Sequence, residues 1–201
     1  MTFRQFRSRP RRRLSRGVTM VEFALVAPVF FAALFGALDG GLLMFSANAV
    51  NHATGTAMIT VAQEGTVASA DNDTLKAMMA GGVAATGFAK VDEVDVYLIH
   101  VDPTTGAVTQ DTNSCGVACV DRYGWNGAAA TILNPATGSV GCLAANYLTC
   151  IPPWPPARRN TTSRNLTNLG ITVKCHYNYL AFSSAQLSIT QTRYFRLEPT
   201  S

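Results

Sequence analysis

The pattern of apolar positions changes character along the chain, and each change predicts a different element. From Phe23 to Leu38 sixteen residues pass without a charge, apolar on every side. At 1.5 Å per residue that stretch covers ~24 Å, short of the ~30 Å hydrocarbon core of a bilayer. Carried on past Asp39 to Phe45, the helix is long enough to span. Beyond it Leu43, Ala47, Val50, Ala57 and Val61 recur at near-helical spacing, with Asn48, Asn51, His52 and Gln63 opposite. This predicts an amphipathic continuation to about Glu64 whose apolar stripe packs on a folded domain. Asp71-Asn72-Asp73 then reads as the N-cap of a short helix over Thr74–Thr86, with Leu75, Met78, Met79 and Val83 on one face and Gly81, Gly82 and Gly87 weakening it. Val91–Val101 is β-branched, and the turn Asp102-Pro103-Thr104-Thr105-Gly106 joins it to Ala107–Thr109 as a hairpin.

Residues 111–169 keep no steady period, and Ile151-Pro152-Pro153-Trp154-Pro155-Pro156 within them predicts a stiff extended segment outside any sheet. In that segment Trp154 is expected to pack onto the sheet rather than to stand out as a contact residue. The clearest strand follows: Ile171, Val173, Cys175, Tyr177 and Tyr179 alternate with Thr172, Lys174, His176 and Asn178. Leu187–Leu197 predicts a last strand antiparallel to it. The expected fold class is α+β: a long N-terminal membrane-spanning helix continuing as an amphipathic helix, a short helix, and an antiparallel β-sheet of about four strands.

Charge divides the chain sharply. Residues 1–17 hold seven arginines and no acid, whereas the other 184 residues hold nine Lys+Arg against twelve Asp+Glu, a net of about −3. The folded part has no basic footprint, so no nucleic acid is expected as a partner. Arginines on one side of the apolar run predict a single pass with the N-terminus in the cytoplasm and the residues beyond the helix exported, to the periplasm of a bacterium. Asp39 would sit near the far interface, where a carboxylate costs less than at mid-bilayer. The domain plan is a basic leader (1–17), a transmembrane helix (18–45) and an exported α+β domain (46–201), with 111–169 as its stapled loop.

Three export signals compete for this N-terminus. A secretory signal peptide would use Ala47-Asn48-Ala49 as its cleavage site, but Asp39, Gly40 and Gly41 separate that site from the apolar run. A twin-arginine signal could draw on Arg12-Arg13, whose flanks match weakly. A prepilin leader would end at Gly17, with Glu22 fifth after the cut. Glu22 separates them, because an ordinary signal peptide avoids acids at the entrance of its apolar segment. Cutting after Gly17 frees an α-amino group on Val18, about one helical turn from Glu22. In a bundle of such helices the amine of one subunit can pair with the Glu of its neighbour and set their axial register, since unpaired charges in lipid are costly. Glu22 would also answer the helix macrodipole in the first turn.

The run Arg16-Gly17-Val18-Thr19-Met20-Val21-Glu22-Phe23-Ala24-Leu25-Val26-Ala27-Pro28 resembles the start of TadE-like minor pseudopilins of the tight-adherence (Flp-type) pilus system. In that family a Gly precedes the cut, an aromatic follows the Glu, a Pro interrupts the apolar helix, and an acid commonly follows the run. The resemblance covers roughly residues 16–60 and is suggestive again over Ser188–Glu198. It implies a pilin-like architecture, cleavage by a membrane prepilin peptidase, and partners among other pilin and pseudopilin subunits, the inner-membrane pilus assembly machinery and membrane lipid. It also implies a place in the inner membrane or in an extracellular pilus, with a part in cell adhesion. Pro28 makes independent sense, because a lost backbone hydrogen bond is tolerable where neighbouring helices compensate.

Export also explains the cysteines. Cys115, Cys119, Cys142 and Cys150 all fall in the irregular middle and can form two disulfides, with the sequence-local pairs 115–119 and 142–150 favoured among three connectivities. Cys175 reads as a buried free thiol. A zinc site drawing on Cys115, Cys119, Cys175 and His176 is disfavoured, because adjacent strand residues point to opposite faces; no metal and no cofactor is expected. His52, His100 and His176 are scattered, and Asp92-Glu93-Asp95 reads as a charged strand edge. The chain has no GxSxG, HExxH, phosphate loop or GxGxxG, so no enzyme is expected. Glycosylation triplets at Asn72, Asn160 and Asn165 carry little weight. The alternative to a pseudopilin is a membrane-anchored or secreted adhesin-like binding module with a conventional signal segment, using the region 111–169 for contact.

Overall fold

A computed structural model describes residues 15–80, 87–111, 115, 119–136, 142–144, 151–162, 166–180 and 185–199. The chain contacts divide it into Met1–Gly41 and Leu42–Ser201. Helix α1 (Ser15–Glu64) carries Pro28 in its interior. It stops where Gly65 takes φ +56° and its amide bonds back to the Val61 carbonyl, the left-handed ending that glycine adopts at little cost.

From Leu42 onward the protein is a helix-on-sheet layer. Helix α2 (Ala70–Met78) is followed by strands β1 (Ala89–Val101), β2 (Val108–Gln110), β3 (Val120–Trp125), β4 (Ala130–Ile132) and β5 (Cys142–Leu143). A 3-10 turn at Pro156–Arg158 leads to β6 (Asn168–Asn178) and β7 (Gln186–Arg196). All pairings are antiparallel, in the order β5-β4-β3-β1-β6-β7, with β2 folded back on the end of β1. The expected α+β class is thus observed.

The stripe on α1 supplies much of the core. Val50, Ala53, Ala57 and Val61 are fully buried in one cluster with Val94 and Val96 of β1 and Ile171, Val173, Cys175 and Tyr177 of β6, while Leu43 and Ala47 pack at its rim. Small residues at positions 53 and 57 let the helix approach the sheet closely. The alternation along β6 is regular, even-numbered residues half-buried and odd-numbered ones buried from Leu169 to Tyr177, apart from the buried Gly170. That glycine has a reason: a Cβ there would run into the Tyr97 ring. The β1–β2 hairpin is built as its turn residues dictate. Asp102 Oδ1 accepts from the amides of Thr104 (2.7 Å) and Thr105 (3.0 Å), and Gly106 takes φ +71°.

Three expectations need correction. The middle region is not all loop, because β3, β4 and β5 extend the sheet on the far side of β1. Its strands are short, and Asp121 interrupts the alternation where a buried apolar residue would be expected. Secondly, α2 starts at Ala70 with Ser69 at its N-cap, so Asp71 and Asn72 are buried residues of its first turn rather than a capping region. The helix is described only to Met78 and one irregular turn beyond, and the predicted segment 81–86 lies outside the described residues. Thirdly, Asp92-Glu93-Asp95 does not line a sheet edge. β1 lies between β3 and β6, Asp92 occupies a bulge between the pairs Val91–Cys175 and Glu93–Lys174, and Asp95 is buried.

Candidate functional site: the N-terminal helix

From Thr19 to Leu38 the helix carries apolar side chains around its whole circumference and exposes nearly all of them. Met20 is 78% exposed, Phe23 69%, Leu25 72% and Val29 70%. Its mean hydropathy reaches 2.2 over an eighteen-residue window, none of which is buried, so by length and composition the helix can cross a membrane once. In water such a surface would be costly, at ~25 cal/mol per Å² of apolar area. A bilayer or other apolar helices remove that cost.

The predicted site residues fall on this helix. Gly17 and Val18 lie in its first turn. Glu22 and Phe23 are exposed. Val18 and Glu22 are four apart and therefore share a helix face about 6 Å along the axis. Pro28 is exposed and has no amide proton, which leaves the Ala24 carbonyl without its usual helical donor. Phe31 stacks on Phe35 one turn later, with ring centroids 6.4 Å apart. Asp39 ends the exposed run and is itself buried.

Of the cysteines, Cys115 and Cys119 form a disulfide, the sequence-local pair. Cys142 lies in β5, whereas Cys150 is outside the described residues, so the 142–150 pairing has no structural description. Cys175 is a buried free thiol, and burial together with the nearby Asp92 pushes its pKa up to about 12. Its neighbour His176 faces the other way and meets Asp92 Oδ1 at 2.6 Å. Among the described residues no cluster of His, Cys, Asp or Glu is arranged to hold a metal ion.

One buried polar centre has no counterpart in the sequence reading. Arg159 Nη2 donates to Asp71 Oδ2 at 2.7 Å and Nη1 stands 2.7 Å from Oδ1, both side chains being fully enclosed. The Tyr123 hydroxyl donates to the same Asp71 Oδ2 at 2.6 Å, and the Trp154 amide donates to Asp121 Oδ1 at 2.7 Å. Arg159 also lies 5.1 Å from the Trp154 ring centroid, a cation–π distance. Two carboxylates share one guanidinium. Burial, then the charge of Asp71, raises the Asp121 pKa to about 7. Burial alone would lower the Arg159 pKa, but Asp71 outweighs it and the net shift is upward. The centre ties α2, β3 and the proline-rich segment together, and it explains why Trp154 is buried, on the sheet side as expected. Its partners are far apart in sequence, so neither spacing nor composition announces it.

A second charged group lies on the opposite face of the sheet. Lys174 Nζ is 2.8 Å from Glu93 and 2.9 Å from Asp95, with Arg122 at 3.9 Å from both acids. Burial, then the hydrogen bond shared with Glu93, raises the Asp95 pKa to about 6, while that bond and Lys174 lower the pKa of Glu93. Lys174 answers both acids, while Asp95 Oδ1 has only Arg122, 3.9 Å away, as its charge partner.

Comparison with known proteins singles out the same N-terminal stretch. No curated protein and no solved structure matches the chain. Residues 17–58 do match a family model, that of TadE-like proteins. The match begins at the glycine before the expected cut and ends on the amphipathic half of α1, and over these residues the chain is similar to that family.

Proposed function

We propose that the protein is a minor pseudopilin of a tight-adherence-type pilus, a non-enzymatic subunit cut between Gly17 and Val18 by a prepilin peptidase. The observation that carries this reading is the coincidence of the TadE-like match, starting at Gly17, with a helix that exposes apolar side chains on all sides. Glu22 pairs with the freed Val18 amine of a neighbouring subunit, and the Phe23–Phe45 stretch supplies the packing surface for other pilin helices and for lipid. Pro28 leaves one carbonyl open and loosens the helix where it must adapt to its neighbours. The seven arginines hold the N-terminus in the cytoplasm, and the disulfide at Cys115–Cys119 suits an oxidising compartment such as the periplasm.

The test is the mature N-terminus of protein taken from membranes of a native host, by intact mass. A start at Val18 that disappears when the prepilin peptidase gene is deleted is the expected result. A start at Val50 would mean a conventional signal peptide and a released domain, and would end the assembly role of Glu22.

A further inference from the structure

β7 is the last strand of its sheet, and its outer edge is bare among the described residues. The register shows which backbone groups that edge presents. The Leu197 amide donates to Thr167 and the Tyr179 amide to Ala185, so the odd-numbered residues of β7 are those bonded to β6. The N–H and C=O groups of Ser188, Thr190, Thr192, Tyr194 and Arg196 therefore point outward. None of the usual protections is present from Gln186 to Thr192: no charge, no proline and no bulge.

Beside this edge runs a groove of about 400 Å³ between β7 and the second half of α1. Its helix wall is Asn48, Asn51, His52, Gly55, Thr56, Met58 and Ile59, and Arg193 closes the strand side. Nothing lies within 4 Å of where a Cβ on Gly55 would be, and Ile59 is 55% exposed. The wall spans about 16 Å of helix, the length of about five strand residues. A strand added to β7 would thus gain backbone hydrogen bonds on one side and, on the other, a mostly polar seat whose apolar part is Met58 and Ile59.

Charge selects the occupant. Neither β7 nor the groove wall contains an acid, while Arg193 and Arg196 are both exposed and the described hydrogen bond of Arg193 goes to the neutral Asn51. A second copy of β7 would bring four arginines into one ribbon with no carboxylate, which like-charge repulsion opposes. We propose that the free edge of β7, with the groove along α1, is a strand-addition site for an extended, carboxylate-bearing segment of another protein. The site lies within residues 48–196, so a cut after Gly17 leaves it whole and a start at Val50 would remove only Asn48 from it.

The experiment uses the full chain in detergent. The probe is a fluorescent peptide of alternating valine and threonine with one central aspartate, and its counterpart with lysine in that place. The aspartate peptide should bind saturably, and about tenfold more tightly than the lysine one. Thr190→Pro removes an outward amide and should weaken binding about tenfold, the worth of one hydrogen bond, whereas Thr190→Ala should not. Thr190→Pro should keep the unfolding midpoint, because proline is tolerated where the amide faces away from the ladder. Amide exchange gives a second readout that needs no variant: the peptide should protect the amides of residues 190, 192 and 194 and leave those of 189 and 191 unchanged. Absence of saturable binding, equal binding of the lysine peptide, or protection without this alternation would overturn the proposal. So would a dimer of the free protein that Thr190→Pro abolishes, which would make a second copy the occupant.

Discussion

Two stretches of α1 meet opposite fates. Over 19–38 the apolar residues surround the helix and stay exposed; over 50–61 Val50, Ala53, Ala57 and Val61 occupy one face and are fully buried against the sheet. What distinguishes them is the angular distribution of polar groups. Asn48, Asn51, His52 and Gln63 give the second stretch a side that water can hold, so its apolar stripe has a direction in which to pack. The first stretch has no such side and suits only a solvent that is apolar in every direction. The family match covers the first stretch and most of the second.

The comparison breaks most sharply at Glu22. Glu22→Ala should leave the cut after Gly17 largely intact and yet abolish pilus assembly, seen as a processed subunit without filaments; filaments in normal number would remove its pairing role. Next in size is the buried ion pair. Arg159→Ala leaves the buried carboxylates of Asp71 and Asp121 without their counter-charge and should cost ~3–5 kcal/mol in chemical unfolding. A loss below 1 kcal/mol would mean the centre is wetter than its geometry.

Matched substitutions on α1 sharpen the contrast between its halves. Val50→Ala deletes two methyls from the core and should cost about 2 kcal/mol, while Val26→Ala should leave the unfolding of the domain unchanged. Equal effects would refute the division. The Cys115–Cys119 disulfide closes only a short loop, so removing it with Cys115→Ser and Cys119→Ser should cost about 2 kcal/mol or less by the chain-entropy account.

A further test is a pH slope. Asp121 has its folded pKa raised to about 7 by burial and by Asp71, so the folded state holds more protons than the unfolded state between about pH 4 and 7. Its contribution to stability is full below pH 4 and lost as pH rises through 7. Asp121→Asn, which keeps the carbonyl that accepts from Trp154, should flatten that part of the stability profile. An unchanged slope in the variant would assign it to other groups, Asp95 first.

Much of this was legible in the sequence because it depends on local pattern. The alternation along β6, the Asp102–Gly106 turn, the stripe on α1 and the uniformly apolar run before it each follow from spacing over a few residues, and each lies where that spacing placed it. Strands β3 to β5 were not legible, because they are short and Asp121 replaces an apolar residue with a carboxylate that is intelligible only once Arg159 and Trp154 stand beside it. Asp71 was misread for the same reason. Its local context is that of a helix cap, while its partner lies 88 residues away.

The sequence by itself determined the elements that local periodicity and charge asymmetry can specify: a leader rich in arginine, an apolar helix, an amphipathic continuation and the long strands. Tertiary structure decided what depends on distant residues meeting. It set β1 at the centre of the sheet rather than at an edge, joined Asp71, Asp121, Tyr123 and Arg159 in one buried centre, and left the outer edge of β7 facing a groove. The physical reason is range. Periodicity records which side of an element is wet, but an ion pair or a free edge is a relation between elements, fixed only when the chain has closed on itself.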